Sequence, residues 1–247
     1  MPSISKIFRL HADRIQTHRS LGTCRQDASP SRCWPRSNLF RNPFGELTRA
    51  ERAELAVVDL EPILAAITQR PSCGPAQFLP RTAVQWVGDC GRGKTTRMLA
   101  IQRAFPTACY VYLPEDQPCP SIPQGEPLLI DEAQRLPRRV RKDLLATGVT
   151  LVLATHRDLT RPLRRAGYQV FTQRIGLTLG PSELAEMLNR RILASRRDPQ
   201  LPVPRISLRD AAELIRRFGT DVRAIEGYLY DTVQSQVNDH GEMRFID

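Results

Sequence analysis

The chain has 247 residues, of which 41% are hydrophobic and 25% are charged. This length and balance are typical of a soluble globular protein with one domain or two small ones. The apolar runs are far shorter than the roughly 18–20 residues that span a bilayer, so the sequence excludes an integral membrane protein and predicts no membrane partner. Six cysteines without C-x-x-C spacing, beside only four histidines, argue against a patterned zinc site and predict reduced thiols and a cytoplasmic location.

Basic residues give the chain a net charge of +10, and one segment is especially basic. Residues 135–174 contain ten basic residues and two acidic ones, Asp143 and Asp158. Such a segment predicts contact with an acidic partner, including sequence-independent contact with nucleic acid through its phosphates. The alternative is a solvated surface, because 33 of the 36 basic residues are arginine and arginine is frequent along the whole chain.

The first 80 residues divide into two parts. Residues 1–40 have seven basic and two acidic residues and no apolar signal-peptide core, which predicts a disordered basic tail. Residues 41–80 are predicted to be a helical segment and linker, in which Thr48 is the N-cap and Glu51 completes a capping box. Pro62 and the proline-containing stretch 71–80 are expected to interrupt this helix.

From residue 81 onward, short apolar runs alternate with helical patterns. Strands are predicted at 83–87, 108–113, 128–130, 150–155 and 169–175, and helices between them at 94–105, 138–146 and 159–166. This alternation predicts an α/β domain over 81–178, with a parallel sheet between two helical layers. After Pro181 the pattern is purely helical, at 182–195, 207–218 and 221–236, which predicts a small all-helical subdomain over 179–237 and a C-terminal tail over 238–247.

Residues 88–95 read G-D-C-G-R-G-K-T and fit the phosphate-loop pattern G-x-x-x-x-G-K-[ST] between a predicted strand and a predicted helix. Glycines let the backbone curl around a phosphate, and the helix N-terminus adds its positive dipole end. We expect Lys94 to reach the β- and γ-phosphates of ATP and the Thr95 hydroxyl to bind Mg²⁺. The predicted nucleotide-binding residues of this segment are Gly88, Asp89, Cys90, Gly91, Arg92, Gly93, Lys94, Thr95 and Thr96.

Two further strands end in polar residues at the same predicted edge of the sheet. The first ends in Asp131 and Glu132, where Asp131 is expected to hold Mg²⁺ through water and Glu132 to orient and polarise the attacking water. The second ends in Thr155 and His156. We favour Thr155 over His156 as the side chain that touches the γ-phosphate or its water, and the alternative is that both only finish the strand and cap the next helix.

These residues resemble the AAA+ ATPases over about residues 40–237, with a P-loop NTPase fold. Asp131-Glu132 resembles their Walker B motif, and Thr155 lies at their sensor 1 position. Residues 220–229, T-D-V-R-A-I-E-G-Y-L, resemble the lid helix of the DnaA-like replication initiators. The resemblance implies that the helical subdomain is a lid, and that Arg223 is a sensor 2 arginine that reaches the nucleotide phosphates.

The same resemblance implies two further roles, and the sequence departs from the family's pattern in three respects. Arg164 or Arg165 would be an arginine finger that completes a neighbour's site, and residues 42–45 would meet the adenine. The proline-rich stretch 114–127 predicts that the helix between the second and third strands is short or absent. Initiator-type insertions are not evident, and only about ten residues follow the lid helix, so we expect no DNA-binding helix-turn-helix.

The sequence therefore predicts an AAA+ ATPase that hydrolyses ATP with Mg²⁺ to drive a conformational or assembly switch. Its partners would be copies of itself, another protein or nucleic acid. The alternative is a nucleotide-gated adaptor or scaffold with little hydrolysis. An ABC-type ATPase is suggested by Ala154-Thr155-His156, but no L-S-G-G-Q-like signature lies between Thr95 and Asp131. A small-molecule kinase has no acceptor-binding motif to support it.

Overall fold

The computed structural model describes residues 37–69, 77–236 and 243–246. Its strands are β1 Thr68–Gln69, β2 Gln77–Phe78, β3 Thr82–Val87, β4 Cys109–Tyr112, β5 Leu128–Asp131, β6 Leu151–Thr155 and β7 Gln169–Arg174. Its α-helices are α1 Arg49–Glu54, α2 Glu61–Ile67, α3 Lys94–Ala104, α4 Arg138–Thr147, α5 Thr160–Arg165, α6 Pro181–Ala194, α7 Leu208–Phe218 and α8 Val222–Ser235. No helix in these ranges is both long and apolar enough to cross a membrane.

Five strands form one parallel sheet in the order β4-β5-β6-β3-β7. At the carboxyl edge, Val87 of β3 lies opposite Thr155 of β6 and Arg174 of β7. On the other side of β6, Tyr112 of β4 lies opposite Asp131 of β5. The predicted α/β class with a parallel sheet is confirmed, and the ends of all five strands meet at one edge.

Helices cover both faces of this sheet. On one face α2 and α3 pack against β3 and β6 around the fully buried Trp86. On the other face α4 and α5 pack against β5 and β6 through Leu144, Leu145 and Leu163. Because helices cover both faces, all residues of β3, β5 and β6 are buried, and most of them are apolar.

Residues 113–127, between β4 and β5, contain no helix, as the proline run predicts. The chain crosses from one strand to its parallel neighbour in irregular backbone. Cys119 and Ile122 of this segment pack against the same hydrophobic cluster as α4 and α5. The segment therefore covers apolar sheet residues that a helix would otherwise cover.

Helices α6, α7 and α8 share a separate hydrophobic core. Each helix starts within one residue of its predicted first residue. Proline in the first turn marks the start of α6, and side-chain caps mark the other two: Ser207 forms a capping box with Asp210, and the Asp221 side chain accepts from Ala224 N. The subdomain core also contains residues from both ends of the described chain. Leu39 is fully buried in it, and Phe44 meets Phe245 with ring centroids 6.1 Å apart.

These contacts differ from the predicted tails. Of the predicted N-terminal tail, residues 1–36 lie outside the described residues, but Asn38 donates to the carbonyl oxygens of Asp198 and Leu201 and so joins the fold. Of the predicted C-terminal tail, the buried Phe245 is likewise part of the core. Leu39 anchors the first segment, and Phe245 with Met243 and Ile246 anchors the second, to helices that are distant in sequence.

The segment before the sheet is two helices and a hairpin rather than one interrupted helix. The predicted capping box of Thr48 and Glu51 is confirmed, but α1 ends at Glu54. Pro62 does not interrupt a helix: it lies in the first turn of α2, where a missing N–H removes no intrahelical hydrogen bond. The antiparallel pair β1–β2 was not predicted, because two-residue strands leave no pattern in a sequence.

The capping box predicts a pH-dependent contribution to stability. Hydrogen bonds from Thr48, led by its backbone N–H, and the nearby Arg41 lower the pKa of Glu51 from 4.5 to about 2. Because the pKa is lowered in the folded protein, this stabilisation is complete above pH 4.5 and is lost as the pH falls towards 2. We expect Glu51→Gln to reduce the free energy of unfolding by about 1 kcal/mol at neutral pH and by less in acid. Urea unfolding at several pH values measures this, and an equal loss at all pH values contradicts it.

Candidate functional site

The segment between β3 and α3, residues 88–93, is called the glycine-rich loop below. Gly91 and Gly93 have φ of 75° and 78°, in the left-handed region that glycine adopts without strain. A Cβ on Gly88 would lie 2.7 Å from the carbonyl oxygen of Ile175, so no other residue fits there without a shift. Glycines at these positions therefore let the backbone turn tightly from the sheet edge into the helix.

The first turn of α3 presents free donors at the end of this loop. Gly93 is the N-cap and has no side chain to bond the helix. In the part of the chain that the structure describes, the backbone N–H groups of Lys94, Thr95 and Thr96 have no hydrogen-bond acceptor. Uncapped N–H groups and the positive end of the helix dipole together favour an anion at this position.

Lys94 lies beside these donors with only 6% of its surface exposed. Its Nζ donates to the carbonyl oxygens of Gly88 at 2.5 Å and Asp89 at 2.7 Å, so the lysine holds the curve of the loop. Burial lowers the pKa of Lys94, and the nearby Glu132 carboxylate opposes that shift. A bound phosphate would supply the negative charge that this buried ammonium lacks within hydrogen-bonding distance.

Thr95 and Asp131 form the second part of the site. The Thr95 hydroxyl donates to Asp131 Oδ2 at 2.7 Å, which joins the first turn of α3 to the end of β5. Asp131 is 1% exposed and also accepts from the Tyr110 hydroxyl at 2.9 Å. Burial raises the pKa of Tyr110, with the Asp131 carboxylate as the next cause, so Tyr110 acts as a neutral donor.

The oxygens of Thr95 and Asp131 fit Mg²⁺. Among the described residues, no group of three or more His, Cys, Asp and Glu side chains could hold a metal by itself. Mg²⁺ usually takes one or two protein oxygens and completes its shell with water and substrate phosphates. A hydroxyl and a carboxylate 2.7 Å apart beside a predicted anion site therefore suit Mg²⁺ that arrives with a nucleotide.

Glu132 follows Asp131 in an unusual backbone conformation. Its φ is 61°, in the left-handed region, which costs a non-glycine residue about 1–3 kcal/mol and is concentrated at functional sites. Its carboxylate accepts from Gln134 Nε2 at 2.6 Å and lies 3.2 Å from His156 Nε2. Arg135 Nη2 lies 3.6 Å from Glu132 Oε2. The side chain is thus held on three sides and is 12% exposed.

The structure brings His156, and not Thr155, to this carboxylate. The Thr155 hydroxyl is buried and exchanges hydrogen bonds with the backbone of Arg157, donating at 2.8 Å and accepting at 3.0 Å. It finishes β6, as the alternative interpretation stated. His156 lies 3.2 Å from Glu132 and 3.8 Å from the Cys90 sulfur, so it links the strand end to the glycine-rich loop. Contact of Thr155 with the γ-phosphate or its water stays a prediction.

A cavity of about 740 Å³ opens beside these groups. It is lined by residues 90–97 and Glu132 on one side and by residues of α6 and α8 on the other. Phe44 and Gly45 line it too, where residues 42–45 were predicted to meet a base. Arg223, in the first turn of α8, lines the cavity and lies next to Gly91. Cavities of this size hold small organic ligands.

The glycine-rich loop contacts the start of α8 directly. Arg92 donates to the Thr220 hydroxyl at 2.5 Å, and that hydroxyl donates to the carbonyl oxygen of Gly176 at 2.7 Å. Gly176 lies between the sheet and the helical subdomain, with φ of 75° and with Arg92 packed where its Cβ would be. This three-residue contact joins the phosphate-loop candidate to the helical subdomain.

Arg191 of α6 is a cavity residue that the sequence analysis missed. It is 5% exposed and donates to the carbonyl oxygens of Pro43 and Gly45, and it also pairs with Glu226 of α8. It thus ties the segment 43–45 to two helices. Its position three residues after the buried Leu188, on the apolar face of α6, was the signal that could have identified it.

Arg164 and Arg165 lie far from the cavity of their own chain. They end α5, immediately before β7, whereas the glycine-rich loop follows the opposite, carboxyl edge of the sheet. Both side chains are exposed, and neither lines the cavity. This placement leaves them available only to a neighbouring molecule.

Comparison with known proteins assigns no family. No protein-family model matches the chain, and no curated protein matches it at a significant level.

The contact of Arg92 with Thr220 gives a prediction for stability. We expect Thr220→Val to reduce the free energy of unfolding by about 1–3 kcal/mol, because it removes an acceptor from a charged donor. Thr220→Ser is the matched control, since it keeps the hydroxyl. Hydrogen exchange of the α8 N-terminus should become faster in the valine variant only. Equal exchange in the two variants would show that the contact does not hold the helix.

Proposed function

We propose that this protein is a P-loop ATPase of the AAA+ type, resembling the DnaA-like initiators, in which the helical subdomain is the lid. The observation that carries the proposal is the meeting of four features at one edge of the sheet. These are the free N–H groups of the first turn of α3, the buried Lys94, the Thr95–Asp131 pair and the constrained Glu132. Phosphate binding needs all of the first three, and hydrolysis needs the fourth.

In this proposal ATP enters the cavity with its phosphates at the glycine-rich loop. Lys94 and the backbone N–H groups bind the β- and γ-phosphates, and the Thr95 hydroxyl and Asp131 hold Mg²⁺. When bound, Mg²⁺ neutralises charge that develops on the phosphate oxygens. Arg223 reaches the phosphates from the lid. The Arg92–Thr220 contact then couples the loop to the lid, so that a change at the phosphates alters the lid position.

Glu132 is proposed to orient and polarise the attacking water. His156 and Gln134 hold its carboxylate in the structure, so these side chains position it relative to the γ-phosphate. The same contacts favour the second candidate function, a nucleotide-gated adaptor. A carboxylate that stays bound to His156 and Gln134 cannot activate water, and bound ATP would then persist as a structural ligand.

Self-assembly is the proposed output of the switch. The exposed Arg164 and Arg165 lie outside their own cavity, and one of them is proposed to complete the site of an adjacent copy. A monomer would then hydrolyse ATP slowly, because an arginine finger contributes about 10³–10⁵ in rate.

ATP turnover measured against protein concentration tests the proposal. We expect turnover per chain to rise with concentration in the wild-type protein and to be abolished by Lys94→Ala at all concentrations. The exposed arginine variant Arg209→Ala is a control that should behave as wild type. Tight ATP binding with negligible turnover at every concentration supports the adaptor. Absence of both binding and turnover overturns both functions.

A further inference from the structure

Helices α4 and α5 lie side by side on the sheet face opposite α3. Leu144 and Leu145 of α4 and Leu163 of α5 belong to one hydrophobic cluster. A small cavity of about 10 Å³ under the two helices is lined by these leucines together with Arg141 and Pro162. The two helices therefore expose their outward sides on the same face of the sheet.

That surface is strongly basic. We define the basic face by its six exposed cationic side chains, which are Arg138, Arg139, Lys142, Arg161, Arg164 and Arg165. Asp143 is the only acidic residue in either helix. None of the six cations forms an ion pair within the described part of the chain, whereas Arg135, from the same basic segment, pairs with Glu115 and Glu132.

Helix stability does not explain the charges on α4. Its first turn contains arginine and no acidic residue, although the positive end of the helix dipole disfavours cations there. Arg138 and Lys142 are four residues apart, a spacing at which like charges repel. Arg139 has the opposite charge of Asp143 four residues later, but the first-turn arginines and the Arg138–Lys142 pair cost the helix stability when nothing anionic is bound. An anion on the surface would remove that cost.

The composition of the basic face indicates which anion it fits. No large hydrophobic residue of α4 or α5 is exposed. Helices that bind membrane surfaces insert apolar side chains, and protein interfaces have apolar or aromatic centres. A surface of arginine and lysine alone matches a chain of phosphates, which guanidinium groups bind through paired hydrogen bonds.

We propose that the basic face binds the phosphate backbone of nucleic acid without reading its sequence. This goes beyond ATP binding. It does not depend on ATP binding, because none of the six residues lines the cavity of its own chain and the four besides Arg164 and Arg165 have no part in the proposed ATPase. Each phosphate contact releases condensed counterions, so binding should weaken steeply as the salt concentration rises.

The test compares two triple variants of the full chain that remove the same charge. One is Arg138→Ala/Arg139→Ala/Lys142→Ala on the basic face, which leaves Arg164 and Arg165 intact. The other is Arg103→Ala/Arg205→Ala/Arg209→Ala, three exposed arginines elsewhere. Fluorescence anisotropy without nucleotide measures binding to fluorescein-labelled DNA duplexes of two unrelated sequences over a range of salt concentrations.

We expect the basic-face variant to bind both duplexes about tenfold more weakly or worse and to reduce the slope of log K against log salt by about two to three. The control triple should change both quantities much less. The melting temperature of the basic-face variant should be unchanged or slightly raised, which separates lost binding from unfolding. Equal losses in the two triples overturn the proposal, since binding would then follow total charge. So does wild-type protein that binds neither duplex.

Anionic vesicles test whether the basic face binds a membrane surface instead of nucleic acid. The wild-type protein should not sediment with phosphatidylcholine vesicles that contain phosphatidylserine. Sedimentation that is lost in the basic-face variant, with no DNA binding, would assign the face to a membrane and overturn the proposal. Because all these measurements omit ATP, their failure leaves the proposed ATPase function to be tested by its own turnover assay.

Discussion

Replacing both Arg164 and Arg165 by alanine is expected to lower the ATP turnover of the assembled protein by about 10³–10⁵-fold, the usual contribution of an arginine finger. The physical reason is the loss of the guanidinium that, in the proposed function, stabilises charge on the transferred phosphoryl group in a neighbour's site. ATP affinity should change little, because the two arginines lie outside the cavity of their own chain. Arg209→Ala, on the exposed side of α7, is the matched control.

Mixing variants separates action in a neighbouring site from a local effect. In the proposed function, the Lys94→Ala chain keeps its finger but loses its own site, and the Arg164→Ala/Arg165→Ala chain has the reverse. Together they should regain part of the wild-type turnover that neither has alone. No recovery on mixing, or full turnover in the double variant, would show that these arginines do not act in trans.

The second large effect is expected for Glu132→Gln. The amide keeps the size of the side chain but cannot polarise water, and loss of a general base costs about 10²–10⁴-fold in turnover. ATP binding should be retained, so the ATP-bound state should last correspondingly longer. Single-turnover hydrolysis and nucleotide dissociation rates measure the two effects.

The result for Glu132→Gln also decides between the two candidate functions. If the protein is a nucleotide-gated adaptor, Glu132→Gln leaves the lifetime of bound ATP almost unchanged. Asp143→Asn, on the exposed side of α4, is the control for removal of a carboxylate outside the site. Unchanged turnover in an active protein would contradict the role of Glu132 as the residue that orients water.

The elements of the sheet and the late helices were predictable because their patterns are local and strong. Strands such as β6, which are buried on both faces, appear as unbroken apolar runs, and α7 begins at a capping box. Leu39 and Phe245 were assigned to tails because their burial depends on helices far away in sequence. Pro62 was misjudged because proline is favoured in the first turn of a helix as well as beyond its end.

The candidate site likewise has parts that the sequence predicts and parts that only the structure reveals. The glycine-rich loop and Asp131-Glu132 form contiguous motifs whose chemistry follows from their residue types. The choice between Thr155 and His156 depends on where the chain turns after β6. The residues of this strand are all buried, so the sequence shows no alternation of apolar and polar residues that would indicate which side chain faces the site. Tyr110 reaches Asp131 from the adjacent strand, a contact that only the strand pairing reveals.

Equilibrium binding of ATP, with and without Mg²⁺, tests the central claim most directly. Isothermal titration calorimetry of the full chain should show one site in the wild-type protein, with tighter binding when Mg²⁺ is present. Lys94→Ala should weaken that binding by about 10–100-fold, since it removes charge-assisted hydrogen bonds to phosphate. Equal affinity in the two proteins, or no ATP binding by the wild type, would contradict the assignment of the glycine-rich loop as a phosphate site.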